Sequence, residues 1–424
     1  MVARAGIVVT GTEVLTGRVT DRNGPWLAEE LRRRGVDVGQ VVVVGDRPDD
    51  LRSALELLLA RHDLVLTTGG LGPTADDLTA EVVAAVQGRT PRLVPELETE
   101  IAAIVERLSA GRGWRRDPEA TAAGVRKQAM VPEGASVLAP VGTAPGLVVP
   151  AASGQGAPVV VLPGPPPELQ GMWQDALADD HVQRALAGRE ELRQATIRLW
   201  GTPESELAAT LRRHDDELAG LEVTTCLRQG ELEVVSRFSP AAAPAQEALL
   251  AVLRADFPDT LFSPDGETVD ELVATGLLER GWTIGTAESC TAGLLAGRLA
   301  DRPGSSAYLL GGLVTYADEI KHDLLDVPEE LLDTVGAVSA EVARAMADGA
   351  RARLGTDVGV GITGVAGPGG GTPDKPVGLV HLCVTTADAV LPLRVQLGGD
   401  RAAVRERTVV VALHLLRELL AGPS

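Results

Sequence analysis

The sequence predicts two α/β domains joined by a small α+β module. Three observations predict this. Apolar β-branched runs alternate with helically spaced apolar residues over the first part of the chain, and the alternation resumes from Thr268. Between these stretches, residues 195–257 read as strand, helix, two strands and helix. The length, 424 residues, is too great for one core at roughly 100–200 residues per domain. The expected boundaries are 1–172, 173–262 and 263–424.

The elements follow in order. IVVTGTEVLTG is an apolar strand entering a Gly/Thr turn. Asn23–Gly35 carries Trp26, Leu27 and Leu31 at helical spacing. VDVGQVVVVG is β-branched, and Asp49–Arg61 is amphipathic. DLVLTTGGLGPTADD is a buried strand ending in a Gly-rich loop, and Leu78–Val86 is a helix opening there. APVVVLPGPPPELQGMW adds a strand and a proline-stiffened loop leading to a helix near Glu168, followed by a polar helical stretch, Asp175–Arg193. In the module, QATIRLWG is a strand and PESELAATLRRH a helix. LEVTTCLRQGELEVVSRF is two strands about a turn, and Ala245–Phe257 a helix. PDTLFSPDGET is a linker, and the last domain closes in a long amphipathic helix, Arg401–Leu420. Strands alternating with helices imply parallel pairing, with ligands at the carboxyl ends of the strands. The GTE and TTGGLGPTADD loops fall at that edge.

Composition removes several functions. Lys+Arg number 39 and Asp+Glu 59, a net charge of −20, with 45% hydrophobic residues. Direct binding to nucleic acid or an anionic membrane needs a basic face and is not expected. Cys226, Cys290 and Cys383 form no close pair, which excludes a disulfide scaffold and a CxxC zinc site. The opening MVARAGIVVTGTE is too short an apolar stretch for a signal peptide, and no apolar run reaches the roughly 18 residues of a membrane span. The expected compartment is the cytosol. Only Lys127, Lys321 and Lys375 are lysine; every other basic residue is arginine. Arginine stays protonated, so it cannot serve where a neutral amine is needed. Each retained lysine is a candidate for such a role, against the plainer reading of a surface charge.

The loop TTGGLGPTADD sets glycine N–H groups where they can approach an anion, beside a helix N-terminus. Asp76 and Asp77 next to a phosphate suit a hard divalent cation, and Glu13 in the neighbouring loop could complete the site. The competing reading is a tight turn with helix-capping aspartates.

Five blocks, GTEVLTG, DRNGPWLAEELRRRG, VVGDRPDDL, TTGGLGPTADDLT and VLPGPPPELQGM, resemble the molybdopterin-binding-like domain of the CinA proteins. The resemblance implies a divalent-metal-dependent ADP-ribose pyrophosphatase, the metal being Mg, Mn or Co. It carries Gly69, Gly70, Gly72, Thr74 and Asp77 as ligand-loop positions, with Asp76 and Glu13 beside them. Asp21 stands where the family usually has asparagine. Residues 195–257 resemble the KH-type module of full-length CinA proteins, but they lack the GxxG loop that nucleic-acid binding needs. A spacer or dimer contact is expected instead.

A second group of motifs occupies residues 286–407: TAESCTAG, GSSAYLLGGLVTYADEIKHDLL, GAVSAEVARAM, GITGVAGPGGGTPDKPVG and GGDRAAVRER. Both tyrosines of the chain, Tyr308 and Tyr316, and one of its three lysines fall between Ser306 and Lys321. A serine with a desolvated lysine is an acyl-transfer pair, since burial favours the free amine that takes the hydroxyl proton. The strand and helix after the Ser306 turn are expected to bring Tyr316 and Lys321 near it. GVAGPGGG, with Gly367, Gly369 and Gly370, offers backbone donors to an oxyanion or phosphate. Arg401, opening the last helix, could hold a phosphate. The rival is Cys290 as nucleophile with His322 as base. Lys321 could otherwise be a solvated helix lysine paired with Asp318 or Glu319. Lys375 reads as surface or substrate rim, and Lys127 as surface.

These blocks resemble the CinA C-terminal domain, the nicotinamide-nucleotide amidohydrolase family. The resemblance implies hydrolysis of nicotinamide mononucleotide to nicotinate mononucleotide and ammonia, without a cofactor. It pairs Ser306 with Lys321 and adds Ser289, Tyr316, Thr363 and Arg401. Ala292 replaces a glycine usual in that family, and Tyr308-Leu309 replaces a Trp-Phe pair expected to line the substrate pocket. A homodimer is expected by the same resemblance. The alternative function is a non-catalytic, nucleotide-binding or regulatory protein acting with partners in DNA uptake or repair.

Overall fold

The computed structural model describes residues 3–110, 117–187, 192–228 and 230–422. It divides into two compact units. The first holds residues 1–194 with 237–243, and the second 195–236 with 244–424.

The first unit is built on strands β1 (Arg4–Thr10), β2 (Asp37–Val44) and β3 (Leu64–Thr68). A short ribbon, β4 (Pro91–Leu93) with β5 (Met130–Pro132), stands apart, and β6 (Ser136–Leu138), β7 (Gly146–Val149) and β8 (Val159–Leu162) complete the sheet. The sheet order is β2-β1-β3-β8-β7-β6. β2, β1, β3 and β8 run parallel, as their helical crossovers require. β7 and β6 run antiparallel to their neighbours, which the all-parallel expectation did not include. No helix separates β6, β7 and β8, so the chain reverses directly.

Both faces of this sheet are covered. Ile7, Val9, Leu66 and Leu162 pack with Leu27, Leu31, Leu169, Met172 and Trp173 on one side. Val8, Val65 and Val161 pack with Leu51, Leu55, Leu58 and Val83 on the other. Burial on both faces explains the continuous apolar runs. The helices Pro166–Ala178 and Asp180–Ala185 belong to this core through Leu177, Val182 and Leu186. The first unit therefore runs beyond residue 172.

In the second unit, β9 (Arg193–Trp200), β10 (Leu221–Arg228), β11 (Glu231–Phe238) and β12 (Leu261–Ser263) form a sheet of order β10-β11-β9-β12. The last of these lies inside the expected linker. The larger sheet has β13 (Ile284–Glu288), β14 (Leu309–Val314), β15 (Val358–Gly364), β16 (Leu379–Thr385) and β17 (Val390–Gln396), in the order β14-β13-β15-β16-β17. β13, β14 and β15 are parallel, whereas β16 and β17 are antiparallel additions joined without helices. Gly359 and Gly361 let the helix Ala340–Leu354 lie directly on β15. A Cβ there would sit 2.1 Å from the carbonyl oxygen of Ala347 and 2.0 Å from that of Ala343.

The last helix, Arg401–Ala421, is buried on more than one face: residues 408–416 are all inaccessible, although the sequence pattern reads as amphipathic. One side packs on the large sheet. On another, His414 stacks on Trp200 (ring centroids 4.0 Å apart), meets Phe262 edge-on and pairs with Glu231 at 2.7 Å. The small module is thus packed on this helix rather than hanging as a free spacer.

Burial holds the His414 imidazole below its ordinary pKa, and burial acts the same way on His381 beside Arg394. Both rings are therefore favoured neutral in the fold. As pH falls through about 6.5, the unfolded chain takes up protons that the fold resists, so stability is lost. The denaturation midpoint should fall between pH 7.5 and 5.5, and less steeply in His414→Gln. An equally steep fall in that variant would remove His414 from the account.

Candidate functional site

Chemistry-bearing residues gather at the carboxyl edge of each large sheet. In the first unit, β1 ends at Thr10 before the turn carrying Glu13, and β3 ends at Thr68 before the glycine loop. Gly69 and Gly70 have φ of +100° and +66°. A Cβ on them would lie 2.3 Å from the Thr10 carbonyl oxygen and 2.1 Å from the Thr79 hydroxyl, so the loop needs glycine. Asp77 accepts from the Thr74 N–H at 2.8 Å and from its hydroxyl, which also reaches Asp76. The Thr74 hydroxyl is the main cause holding the Asp76 carboxyl below its usual range. Asn23 ties the two ends of the site, donating to the Thr68 hydroxyl (2.8 Å) and to the carbonyl of Gly164 (2.7 Å). Asp21 takes the N–H groups of Asn23 and Gly24, anchoring the start of the helix Asn23–Arg32.

A cavity of about 760 Å³ opens here, within the range of small-ligand sites. Gly69, Gly70, Gly72, Asp76, Asp77, Glu13 and Asp46 line it, with Glu168, whose carboxyl burial pushes up. Among the described residues no three His, Cys, Asp or Glu side chains form a metal-holding group, so Asp76, Asp77 and Glu13 share a cavity without closing on one ion. Carboxylates in this arrangement fit a cation held jointly with a ligand's phosphates, as Mg²⁺ commonly is, and not a closed cage. Lys127, read from sequence as a surface residue, donates to the carbonyl of Thr74. The signal available was the scarcity of lysine.

In the second unit, β13 ends in Glu288, which is 1% exposed. Its carboxylate accepts from the N–H groups of Gly293 (3.0 Å), Leu295 (3.1 Å) and Ala296 (2.9 Å), and from the Thr286 hydroxyl. These amides open the helix Leu294–Ala300, whose first turn would otherwise lack acceptors. Glu288 thereby fixes the Ser289–Gly293 turn, a role sequence reasoning missed. Ser289 donates its N–H to Ile362 on β15 at 3.0 Å. Within that turn Ala292 has φ of +51°, a left-handed conformation costly to a residue with a Cβ. Ala292→Gly should therefore raise stability by about 0.5–1 kcal/mol, net of glycine's entropy. A lower melting temperature in that variant would contradict this.

Lys321 is buried, with 2% side-chain exposure, in the helix Asp318–Leu325. Its Nζ donates to the Tyr316 carbonyl and to Asp318, both at 3.1 Å. The Asp318 pairing was foreseen; the solvated position was not met. The Tyr316 hydroxyl accepts from Arg401 at 2.7 Å, and the same guanidinium donates to the Gly367 carbonyl at 2.8 Å. Arg401 thus bridges the Tyr316 segment and the glycine loop carrying Gly369 and Gly370. Thr363 is buried and donates its hydroxyl to the carbonyl of Ala337 at 2.8 Å. Lys375 donates to the Val335 carbonyl.

The cysteine alternative does not assemble. Burial pushes the Cys290 thiol up to about 11. The half-buried His322 addresses the Val327 carbonyl instead.

Ser306 lies elsewhere. Its turn, Ser305–Ala307, precedes β14, and Tyr308 next to it accepts from the N–H of Ile284 at the start of β13. Lys321 follows the far end of β14, where Thr315 donates to Glu288. The intervening strand, Leu309–Val314, spans about 16 Å at roughly 3.3 Å per residue. The expected approach of the Ser306 turn to Tyr316 and Lys321 is therefore not made within one chain. Tyr308 is 2% exposed, with its hydroxyl on the Leu299 carbonyl, so it is core and not pocket wall.

Comparison with known proteins agrees with this division. Residues 266–420 match the family model "CinA C-terminal domain", and residues 6–183 match "Probable molybdopterin binding domain". A CinA-like protein of Mycolicibacterium gilvum is 56% identical over the whole of both chains. One of Mycobacterium sp. strain MCS is 56% identical over 99% of both. The solved competence/damage-inducible protein CihA of Agrobacterium tumefaciens is 44% identical, covering 35% of this chain and 93% of its own, with a TM-score of 0.34. Among the described residues no helix is long and apolar enough to cross a membrane.

Proposed function

We propose, for a chain that belongs to the CinA-like proteins, that its second unit hydrolyses the carboxamide of nicotinamide mononucleotide to nicotinate mononucleotide and ammonia. The observation that carries this reading is the buried Lys321 side chain at a strand-end cluster with Tyr316, Arg401 and Gly367. A serine hydroxyl attacks the carboxamide carbon and gives its proton to the Lys321 amine. The tetrahedral adduct collapses, and the lysine returns the proton to the departing ammonia. Water then cleaves the acyl ester. Ser306 is the serine that family resemblance pairs with Lys321. Backbone N–H groups of the 367–370 loop are candidates to hold the oxyanion, and Arg401 to meet the phosphate.

For the first unit we propose cleavage of ADP-ribose to AMP and ribose 5-phosphate. The supporting observation is the carboxylate-lined cavity beside the glycine loop. A divalent ion shared between Asp77, Asp76 and the pyrophosphate would supply charge neutralisation there. The test is incubation of the purified chain with each nucleotide, with and without chelator. Ammonia from nicotinamide mononucleotide in both conditions, and AMP from ADP-ribose only with metal, are expected. No turnover of either overturns both readings.

A further inference from the structure

We propose that Ser306 is supplied to the Lys321 site by a second copy of this chain, through pairing of the two β14 strands. The inference rests on the deamidase reading. Three observations carry it. The two halves of the pair lie at opposite ends of β14, so one chain alone does not complete the site. Among the described residues β14 is the terminal strand of its sheet, with one side unpaired. Its sequence, LLGGLV, has none of the charges or prolines that guard free edges, and its one register irregularity, the extra residue between Leu309 and Gly311, lies near its start. Beside it, Leu310, Val314, Tyr316 and Ile320 are 50%, 47%, 55% and 37% exposed, an apolar band running from the strand to the Lys321 helix.

A twofold axis pairs like strands antiparallel. Centred on β14, this sets Gly311 against Gly312 of the partner subunit and Leu309 against Val314 of the partner subunit. Continuing past the strand ends, Ser306 reaches the level of the partner subunit's Ala317, within one helical turn of the partner subunit's Lys321. The strand that separates the residues in one chain unites them across two, and the symmetry makes two such sites.

The test is complementation in the full-length chain. Ser306→Ala and Lys321→Met are each expected to be inactive on nicotinamide mononucleotide. Co-expressed under two different affinity tags and purified through both, the mixed dimer has one site with both lesions and one intact. It should turn over at about half the parental rate per dimer. If each site belonged to one chain, both sites of the mixed dimer would be damaged and the mixture would stay silent; that result overturns the proposal. Failure to isolate any mixed dimer overturns it too. Lys321→Gln replaces Lys321→Met if the latter misfolds. Leu310→Asp, in the middle of the pairing surface, should yield a folded, inactive monomer by light scattering, and an active monomer would be equally fatal. A parental protein that leaves nicotinamide mononucleotide intact would instead refute the deamidase reading, which separates the two failures.

Discussion

Lys321→Met is expected to reduce deamidation of nicotinamide mononucleotide by about 10³-fold or more, the scale of losing a positioned base in covalent catalysis. The fold should tolerate the change. Methionine is unbranched and of similar length, and the partner left behind, Asp318, is 55% exposed and can be solvated. The melting temperature should therefore move by only a few degrees while turnover collapses. Arginine is the sharper control. It keeps a positive charge near Asp318 but cannot give up its proton, so Lys321→Arg should be as inactive as the methionine variant. If it kept the parental rate, Lys321 would be an electrostatic fixture and not a base. The readout is ammonia release at saturating substrate, with circular dichroism to verify folding.

The second large effect concerns the other unit. Asp77→Asn should lower ADP-ribose cleavage by about 10²-fold or more, as should chelation of divalent metal. Asp77 has two jobs here. One oxygen holds the Thr74 N–H and hydroxyl, which shapes the loop. The carboxylate also lines the cavity where a pyrophosphate and its cation would sit. Asparagine can still accept from Thr74 but removes the negative charge. Loss of activity with the loop intact, and with nicotinamide mononucleotide turnover unchanged, would assign the defect to the charge. Parental cleavage in Asp77→Asn, or activity surviving complete chelation, would contradict the metal-assisted reading.

The sequence carried much of this because the fold is written in periodic patterns. Both large sheets, the small module between them and the glycine loops at strand ends were legible from β-branched runs, helical spacing and turn residues. The antiparallel strands β6, β7, β16 and β17 were not, since an apolar run does not state its direction. The near-complete burial of the last helix was hidden for a similar reason. Whether its polar residues face water depends on His414 meeting Trp200 and Glu231, which are far away in sequence.

The candidate sites divide along the same line. Lys321, Tyr316, Arg401 and Asp77 could be named from motifs, and scarcity drew attention to the lysine. Glu288 could not, because its role is to receive three backbone amides of the following turn. Nor could the separation of Ser306 from Lys321 be seen. Fifteen residues look close in sequence, but here they contain a whole strand, and an extended strand is the longest way to use them.

The deamidase proposal for the second unit is a claim about one bond, the carboxamide C–N bond of nicotinamide mononucleotide. The direct measurement is mass analysis of the products formed from nicotinamide mononucleotide in ¹⁸O-labelled water by the parental chain. The account predicts nicotinate mononucleotide with one labelled oxygen in its carboxylate, together with ammonia, and neither product from Lys321→Met. Unchanged substrate, or release of free nicotinamide with labelled ribose 5-phosphate, would contradict it.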